Sequence, residues 1–315
     1  MIMKYIILVI LSFILIPICN ASGTPMQDKE TATSEEYKLF SLQEELNSYI
    51  AGKDARIGVA AIINGRDTIS VNGTAEFPMM SVFKFPLALT VADWVDANSI
   101  SLNDSISFNP NILIEDTYSP MLKKYGPGLN RMSFRELLEW SLIESDNNAA
   151  DILIQAVGGT THSEALLKDL AGDLEIRIGA TERDMHDDPS RSNLNWSTPL
   201  AMAVLFDRFD REIRYRSASY SDISTMLEEC KTGVDRLASP LSGTGAVIGH
   251  KTGTGFSNPA GGISALNDCG YIHLPNGVRY TIAVFVADSP YNIEETAKLI
   301  ADISERVYQY CLSLK

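Results

Sequence analysis

The stretch FPMMSVFKFPLALTV, residues 77–91, sets one lysine in an apolar run with hardly another polar side chain. A core segment gains nothing by burying an unpaired ammonium, because desolvating a charge is costly. Lys84 must either reach the surface along its aliphatic stem or meet a partner inside. Ser81 stands three residues earlier, and on a helix that spacing puts both side chains on one face. FPMM does not read as helix, so Ser81 falls near the N-terminus of a helix running through VFKFPLALTV. Free backbone N–H groups and the positive end of the helix dipole gather there, which favours a developing oxyanion. A lysine one turn on, in an apolar and partly dry site, can have a lowered pKa and take a proton from the serine. Taken alone, the pair also reads as a Ser-capped helix with a snorkelling lysine.

Two further tripeptides share that ambiguity. Ser145-Asp146-Asn147 lies within SFRELLEWSLIESDNNAADILIQAVGG, between two stretches with apolar residues at helical spacing. A hydroxyl there can pass a proton to a leaving nitrogen, Asn147 can hold a substrate amide, and Asp146 suits the bonding of loop N–H groups. By itself the tripeptide is a helix cap. Lys251-Thr252-Gly253, inside HKTGTG at 250–255, reads as strand. Lys251 and Thr252 offer a cation and a hydroxyl to a carboxylate, and Gly253 and Gly255 admit a backbone or ligand closely. That tripeptide, too, is common by accident.

The rest of the chain supplies a frame. Lys4 followed by YIILVILSFILIPI and CNASG has the pattern of a secretory signal peptide, residues 1–21, which directs the protein to the periplasm. The run is short for a spanning helix, which needs about 20 apolar residues, although an uncleaved anchor is the other reading. Cys19 is a candidate lipid-attachment site, against which Ile18 counts. A polar lead-in, 22–36, precedes helical spacing that ends at Gly52, then two β-rich runs around Asn64-Gly65 that predict a hairpin. From 82 to about 230 helices and loops prevail with little strand signal; strand signals return in GAVIGHKTGTG and GVRYTIAVFVADS. An amphipathic helix capped by Asn292 follows. The expected class is α/β (α+β): an antiparallel sheet covered by terminal helices, with an inserted all-helical domain and a site in the cleft between them. The sheet domain is drawn at 37–80 plus 232–315 and the insertion at 81–231. Cys230, Cys269 and Cys311 are an odd set without metal-site spacing and read as small apolar fillers. A formal net charge of −14 argues against a nucleic-acid partner.

In this order, the serine at a helix start, the Ser-Asp-Asn loop and the Lys-Thr-Gly strand resemble the penicillin-recognising serine acyltransferases, and among them the class A β-lactamases. The resemblance spans nearly the whole chain after the signal peptide and implies hydrolysis of a β-lactam without metal or organic cofactor. Ser81 is then the nucleophile, Lys84 its base, and Ser145 the proton donor to the leaving nitrogen. Thr254 supplies a second oxyanion-hole N–H beside that of Ser81. The polar segment 180–199 matches the Ω-shaped loop of class A enzymes, and Glu182 falls at the general base for deacylation. Two places depart from the commonest pattern: Ala180 replaces a bracing arginine, and His186 replaces an asparagine, so that a ring nitrogen of His186 is expected to hold the water. TERDMH is similar to the PER-type extended-spectrum branch and its relatives in Bacteroidetes, which accept bulky oxyimino-cephalosporins. Tyr118 resembles the aromatic at the cleft entrance, and Lys251, Thr252 and Gly253 the strand that takes the substrate carboxylate. With Leu266 near the place of the usual arginine, Arg236 matches an alternative one. Met80 replaces a cysteine, which removes a disulfide some relatives have.

His250 invites a serine–histidine reading, but its side chain should point away from Lys251 on the strand, so it is expected behind the sheet. A monomer is expected, with no membrane contact beyond any lipid at Cys19. The alternatives within the resemblance are a penicillin-binding DD-peptidase, lacking a working Glu182, and a non-hydrolysing β-lactam sensor. A sensor is expected to carry a signalling or transmembrane domain, for which this sequence shows no candidate beyond the signal peptide.

Overall fold

The computed structural model describes residues 34–257 and 260–314. The expected signal peptide, Cys19 and the lead-in up to residue 33 lie outside them. Helix α1, Ser34–Ala51, takes in the last three residues that the sequence reading gave to the lead-in. Strands β1 (Arg56–Ile63) and β2 (Asp67–Val71) then form the expected hairpin. Asn64 and Gly65 at its tip have φ of 53° and 65°, the left-handed pair that a primed turn requires.

Strand β3 (Phe77–Pro78) leads through a 3₁₀ turn, Met80–Phe83, into α2 (Lys84–Ala97). Every residue of α2 from Lys84 to Ala92 is buried, which is why its sequence shows no polar face. Around it stand β4 (Ser105–Ser107), α3 (Pro120–Tyr125), β5 (Arg131–Ser133), α4 (Phe134–Leu142), α5 (Asn147–Ala156) and α6 (Thr160–Ala171). Then come β6 (Ile176–Ile178), α7 (Glu182–Asp187), β7 (Asn195–Ser197), α8 (Pro199–Arg211) and α9 (Ala218–Glu228). The chain returns to the sheet with β8 (Val247–Thr254), β9 (Ile263–His273) and β10 (Arg279–Ser289), and α10 (Ile293–Leu312) closes it. Asn292 caps α10 in a reciprocal box with Glu295.

The main sheet is antiparallel in the order β2-β1-β10-β9-β8. It is buried on both faces, so its strands read as apolar runs and not as alternations. Ala60, Ile62, Ala283 and Phe285 join the core of the helical block, while Val59, Ala61, Ile282 and Val284 pack with Leu46 of α1 and Ile303 of α10. A mixed helix and antiparallel-sheet body with terminal helices on one face is the expected class.

Three local expectations need correction. The block between β3 and β8 is not purely helical: β4 pairs with β5, and β7 pairs with both β3 and β6 in a second small sheet. These strands are two or three residues long, too short to show a period of two. Strand β9 went unpredicted because Asn267, Asp268 and Gly270 interrupt its apolar signal, yet Asn267 and Asp268 are fully buried and bonded. Finally, 180–199 is no open polar loop: it holds α7, a 3₁₀ stretch at Pro189–Leu194 and β7.

Candidate active site

A cleft of about 490 Å³ separates the helical block from the β8 edge of the sheet, with Ser81, Ser145, Asn147, Glu182 and Thr252 in its wall. Ser81 sits in the 3₁₀ turn ahead of α2, where backbone N–H groups lack intrahelical acceptors. Its neighbour Met80 has φ of 46°, a strained conformation of the kind held at functional sites. The turn is braced from below. Asn267 of β9 donates to the carbonyls of Pro78 and Met79 at 2.8 and 3.0 Å. Gly253 lies so close that a Cβ there would stand 2.4 Å from the Met79 carbonyl oxygen, so only glycine lets β8 approach.

Lys84, one turn on, has no solvent exposure. Its ammonium donates to the Ser145 carbonyl at 2.8 Å and to Asn147 Oδ1 at 2.7 Å, and lies 2.9 Å from Glu182 Oε1. Two acceptors thus take hydrogen bonds from the ammonium, and a carboxylate stands beside it as a counter-charge. The Glu182 contact is an ion pair by distance but too far off-axis for a hydrogen bond, and Oε1 has no hydrogen-bond partner among the described residues.

Ser145 links two cations. Its carbonyl accepts from Lys84, and its Oγ accepts from Lys251 Nζ at 2.8 Å. A φ of 60° is what turns the carbonyl toward Lys84, a strain the two lysine bonds offset. Asp146 caps α5 through Ala149 N–H and also accepts from Met121 N–H and Ser119 Oγ, so it fixes the loop as expected. Asn147 Nδ2 donates to Thr117 Oγ1 at 2.9 Å, and its own N–H donates to the Tyr118 carbonyl. Tyr118 itself is exposed at the cleft wall.

On β8, Lys251 is fully buried and also donates to the Thr252 carbonyl at 3.0 Å. Burial first, and then the like charge of Lys84, hold its pKa down to about 7 against the opposing Cys230 and Asp268. Thr252 Oγ1 shares a 2.5 Å hydrogen bond with Thr232 Oγ1. Thr254 is exposed at the strand end. Arg236 does not line the cleft; it is buried beneath β8, donating to the Gly253 and Asn267 carbonyls and, at 2.8 Å, to Thr254 Oγ1. It reaches the cleft only through Thr254.

Glu182 starts α7, and its position depends on Asp151, which sequence reasoning missed. Asp151 Oδ1 accepts from Glu182 N–H at 2.6 Å and Oδ2 from Arg183 N–H at 2.9 Å. This carboxylate braces the start of α7, two residues after Ala180, where the resemblance led to the expectation of a weaker brace. Burial, with the Glu182 charge adding to it, raises the Asp151 pKa to about 7. No local signal marks Asp151, an ordinary carboxylate in a helix whose partners stand 31 and 32 residues away. His186 lines the cleft, but its Nε2 meets Asp116 at 3.0 Å and its Nδ1 meets Asp187 at 3.3 Å. Both ring nitrogens thus face carboxylates, and Asp116 lines the cleft together with His186. His250 is behind the strand as expected, with Nδ1 2.8 Å from Asp268 Oδ1. Among the described residues no group of three His, Cys, Asp or Glu side chains is placed to hold a metal ion.

The chain is similar to known proteins over most of its length. Residues 41–311 match the model of the Beta-lactamase enzyme family. A β-lactamase of Phocaeicola vulgatus is 38% identical over 268 residues, covering 85% of this chain and 84% of the relative. The extended-spectrum β-lactamase PER-1 of Pseudomonas aeruginosa is 32% identical over 272 residues, covering 85% and 87%. The crystal structure of the TLA-3 extended-spectrum β-lactamase superposes with a TM-score of 0.83 at 35% identity, covering 87% of this chain and all of that one.

Proposed function

Because the chain belongs to the β-lactamase enzyme family, as a class A member that hydrolyses β-lactams and so confers resistance to them, we propose that it works through an acyl-enzyme on Ser81. The observation that carries this reading is the position of Lys84, buried one turn from Ser81 and within 2.9 Å of groups from two separate segments.

Ser81 Oγ attacks the lactam carbonyl, its proton passing to Lys84 or through water to Glu182. The oxyanion rests on the N–H groups of Ser81 and Thr254. Ser145, backed by the Lys251 ammonium, protonates the leaving nitrogen as the C–N bond breaks. The substrate carboxylate is met by Lys251, Thr252 and Thr254, with Arg236 orienting Thr254 from behind. Glu182 then draws a proton from water as it attacks the ester; a carboxylate that faces the Lys84 charge yet has no hydrogen-bond partner at Oε1 among the described residues supports that role. Asn147 holds the side-chain amide, and Tyr118 flanks the entrance.

The substrates are penicillins and cephalosporins. Likeness to PER-1 and TLA-3, both named extended-spectrum, supports a site open to bulky cephalosporins. The sheet domain, 37–80 with 232–315, and the 81–231 insertion are read as the two walls of the cleft. The run after Lys4 supports export to the periplasm by a cleaved signal peptide, with Cys19 as the place for any lipid, and the working unit is read as a monomer. No helix among the described residues is long and apolar enough to cross a membrane.

A chromogenic cephalosporin tests the reading directly. The purified protein is expected to release many product equivalents per enzyme; one equivalent followed by a plateau would mean a trapped acyl-enzyme and a penicillin-binding or sensing role. The pH profile gives a second check. Lys251 attracts the carboxylate only as the ammonium, so kcat/KM is expected to fall as pH rises through about 7, the value to which burial and Lys84 depress it. Lys251→Arg keeps the charge and should move this alkaline limb upward; a limb that stays in place assigns it to another group.

A further inference from the structure

Nothing in the sequence singles out Thr232, yet it lines the cleft together with Thr252. It lies just beyond α9, in a segment pinned on both sides. On one side the Lys231 N–H donates to the Ile143 carbonyl at 3.1 Å and the Lys231 ammonium to Glu144 Oε1 at 2.5 Å, which ties the segment to the approach of Ser145. On the other, the Arg236 N–H closes a turn on the Gly233 carbonyl at 3.0 Å. Both arms of the Thr252 side chain meet this segment. Its Oγ1 is 2.5 Å from Thr232 Oγ1, and a Cβ on Gly233 would come within 2.5 Å of its Cγ2. Threonine is stiff at χ1, so with both arms held the Thr252 hydroxyl is fixed in place.

Place alone does not settle what that hydroxyl offers, because it carries a single hydrogen. An ionised carboxylate is acceptor-only, so Thr252 must give its hydrogen to the substrate. The 2.5 Å contact then persists only with Thr232 as donor and Thr252 Oγ1 as acceptor. The other contact of the Thr232 hydroxyl, to Cys230 Sγ, is longer at 3.4 Å, so the shorter one takes its hydrogen. A hydroxyl that accepts one hydrogen bond also donates a stronger one, since such chains polarise. We propose that Thr232 is a positioning residue for substrate binding: its hydroxyl donates to Thr252 and so directs the Thr252 hydrogen at the carboxylate of the β-lactam. The proposal rests on the carboxylate role given above to Thr252.

Steady-state kinetics of a chromogenic cephalosporin, as the free acid and as its methyl ester, test this in Thr232→Val, Thr232→Ser, Thr252→Val and the double valine variant. Valine removes the hydroxyl and keeps the branched shape. For the acid, Thr232→Val should raise KM by about 3–10-fold, the worth of one hydrogen bond, with kcat little changed. For the ester, which brings no charge to the hydroxyl, the same substitution should change KM far less. Thr232→Ser restores a hydroxyl and should return the acid's KM to the wild-type value. In the double variant, Thr232→Val should add nothing to the loss in Thr252→Val, because a positioning residue acts only through the group it orients.

An unchanged KM in Thr232→Val, beside a raised one in Thr252→Val, would overturn this proposal alone. An equal rise for acid and ester would make Thr232 a packing residue, and an additive loss in the double variant would give it a substrate contact of its own; either result overturns the proposal. If Thr252→Val itself leaves the acid's KM unchanged, the carboxylate role of Thr252 fails and the proposal falls with it.

Discussion

Lys84→Met is expected to lower kcat/KM by about 10²–10⁴-fold, the range for removing a positioned proton acceptor. Methionine matches the lysine stem in bulk, so the loss would come from the ammonium and not from a cavity. The substitution leaves the Ser145 carbonyl, Asn147 Oδ1 and the Glu182 carboxylate facing one another without the cation that joins them. Breaking a buried pair by removing one partner costs about 3–5 kcal/mol. Glu182 opens to the cleft, so the lower end of that range applies, and a fall in melting temperature should accompany the lost activity. Stopped-flow acylation separates the two effects: a folded variant that no longer acylates implicates the ammonium in attack. Wild-type acylation by Lys84→Met would remove Lys84 from the chemistry.

Glu182→Gln is expected to act at the other half of the cycle. The amide matches the carboxylate in shape and keeps an oxygen near Lys84, but it cannot accept a proton from water at neutral pH. Deacylation should slow by about 10²–10⁴-fold, the worth of a general base. If attack on the lactam can use Lys84, acylation survives, and the result is a burst of one equivalent followed by very slow turnover. If Glu182 is the only acceptor in both steps, the burst disappears as well. The same variant therefore distinguishes the two proton routes out of Ser81.

Much of this site is legible in short motifs. Ser81 and Lys84 share a helical face because the start of α2 spaces them by one turn, and Ser145 to Asn147 lie at a helix break because Asp146 is a strong cap. The Asn64-Gly65 turn and the Asn292 cap are equally local, and each appears where its residues require. What sequence does not reveal depends on distant partners. Asp151 becomes the brace of Glu182 only once α5 and α7 meet, and Arg236 becomes a support for Thr254 only once its loop passes beneath β8. His186 faces Asp116 in the cleft wall, a pairing that its likeness in position to an asparagine could not foretell. Strand β9 escapes notice for the reason that makes it useful: its buried Asn267 and Asp268 hold the Ser81 turn and His250, and polar residues with such tasks break an apolar pattern.

The most direct measurement is the mass of Glu182→Gln after brief exposure to a penicillin, followed by peptide mapping. A lasting increase equal to one whole substrate molecule, located on the peptide that contains Ser81, is the predicted result. An unmodified protein that still turns over at the wild-type rate, or an adduct on another residue, would contradict an acyl-enzyme on Ser81 cleared by Glu182.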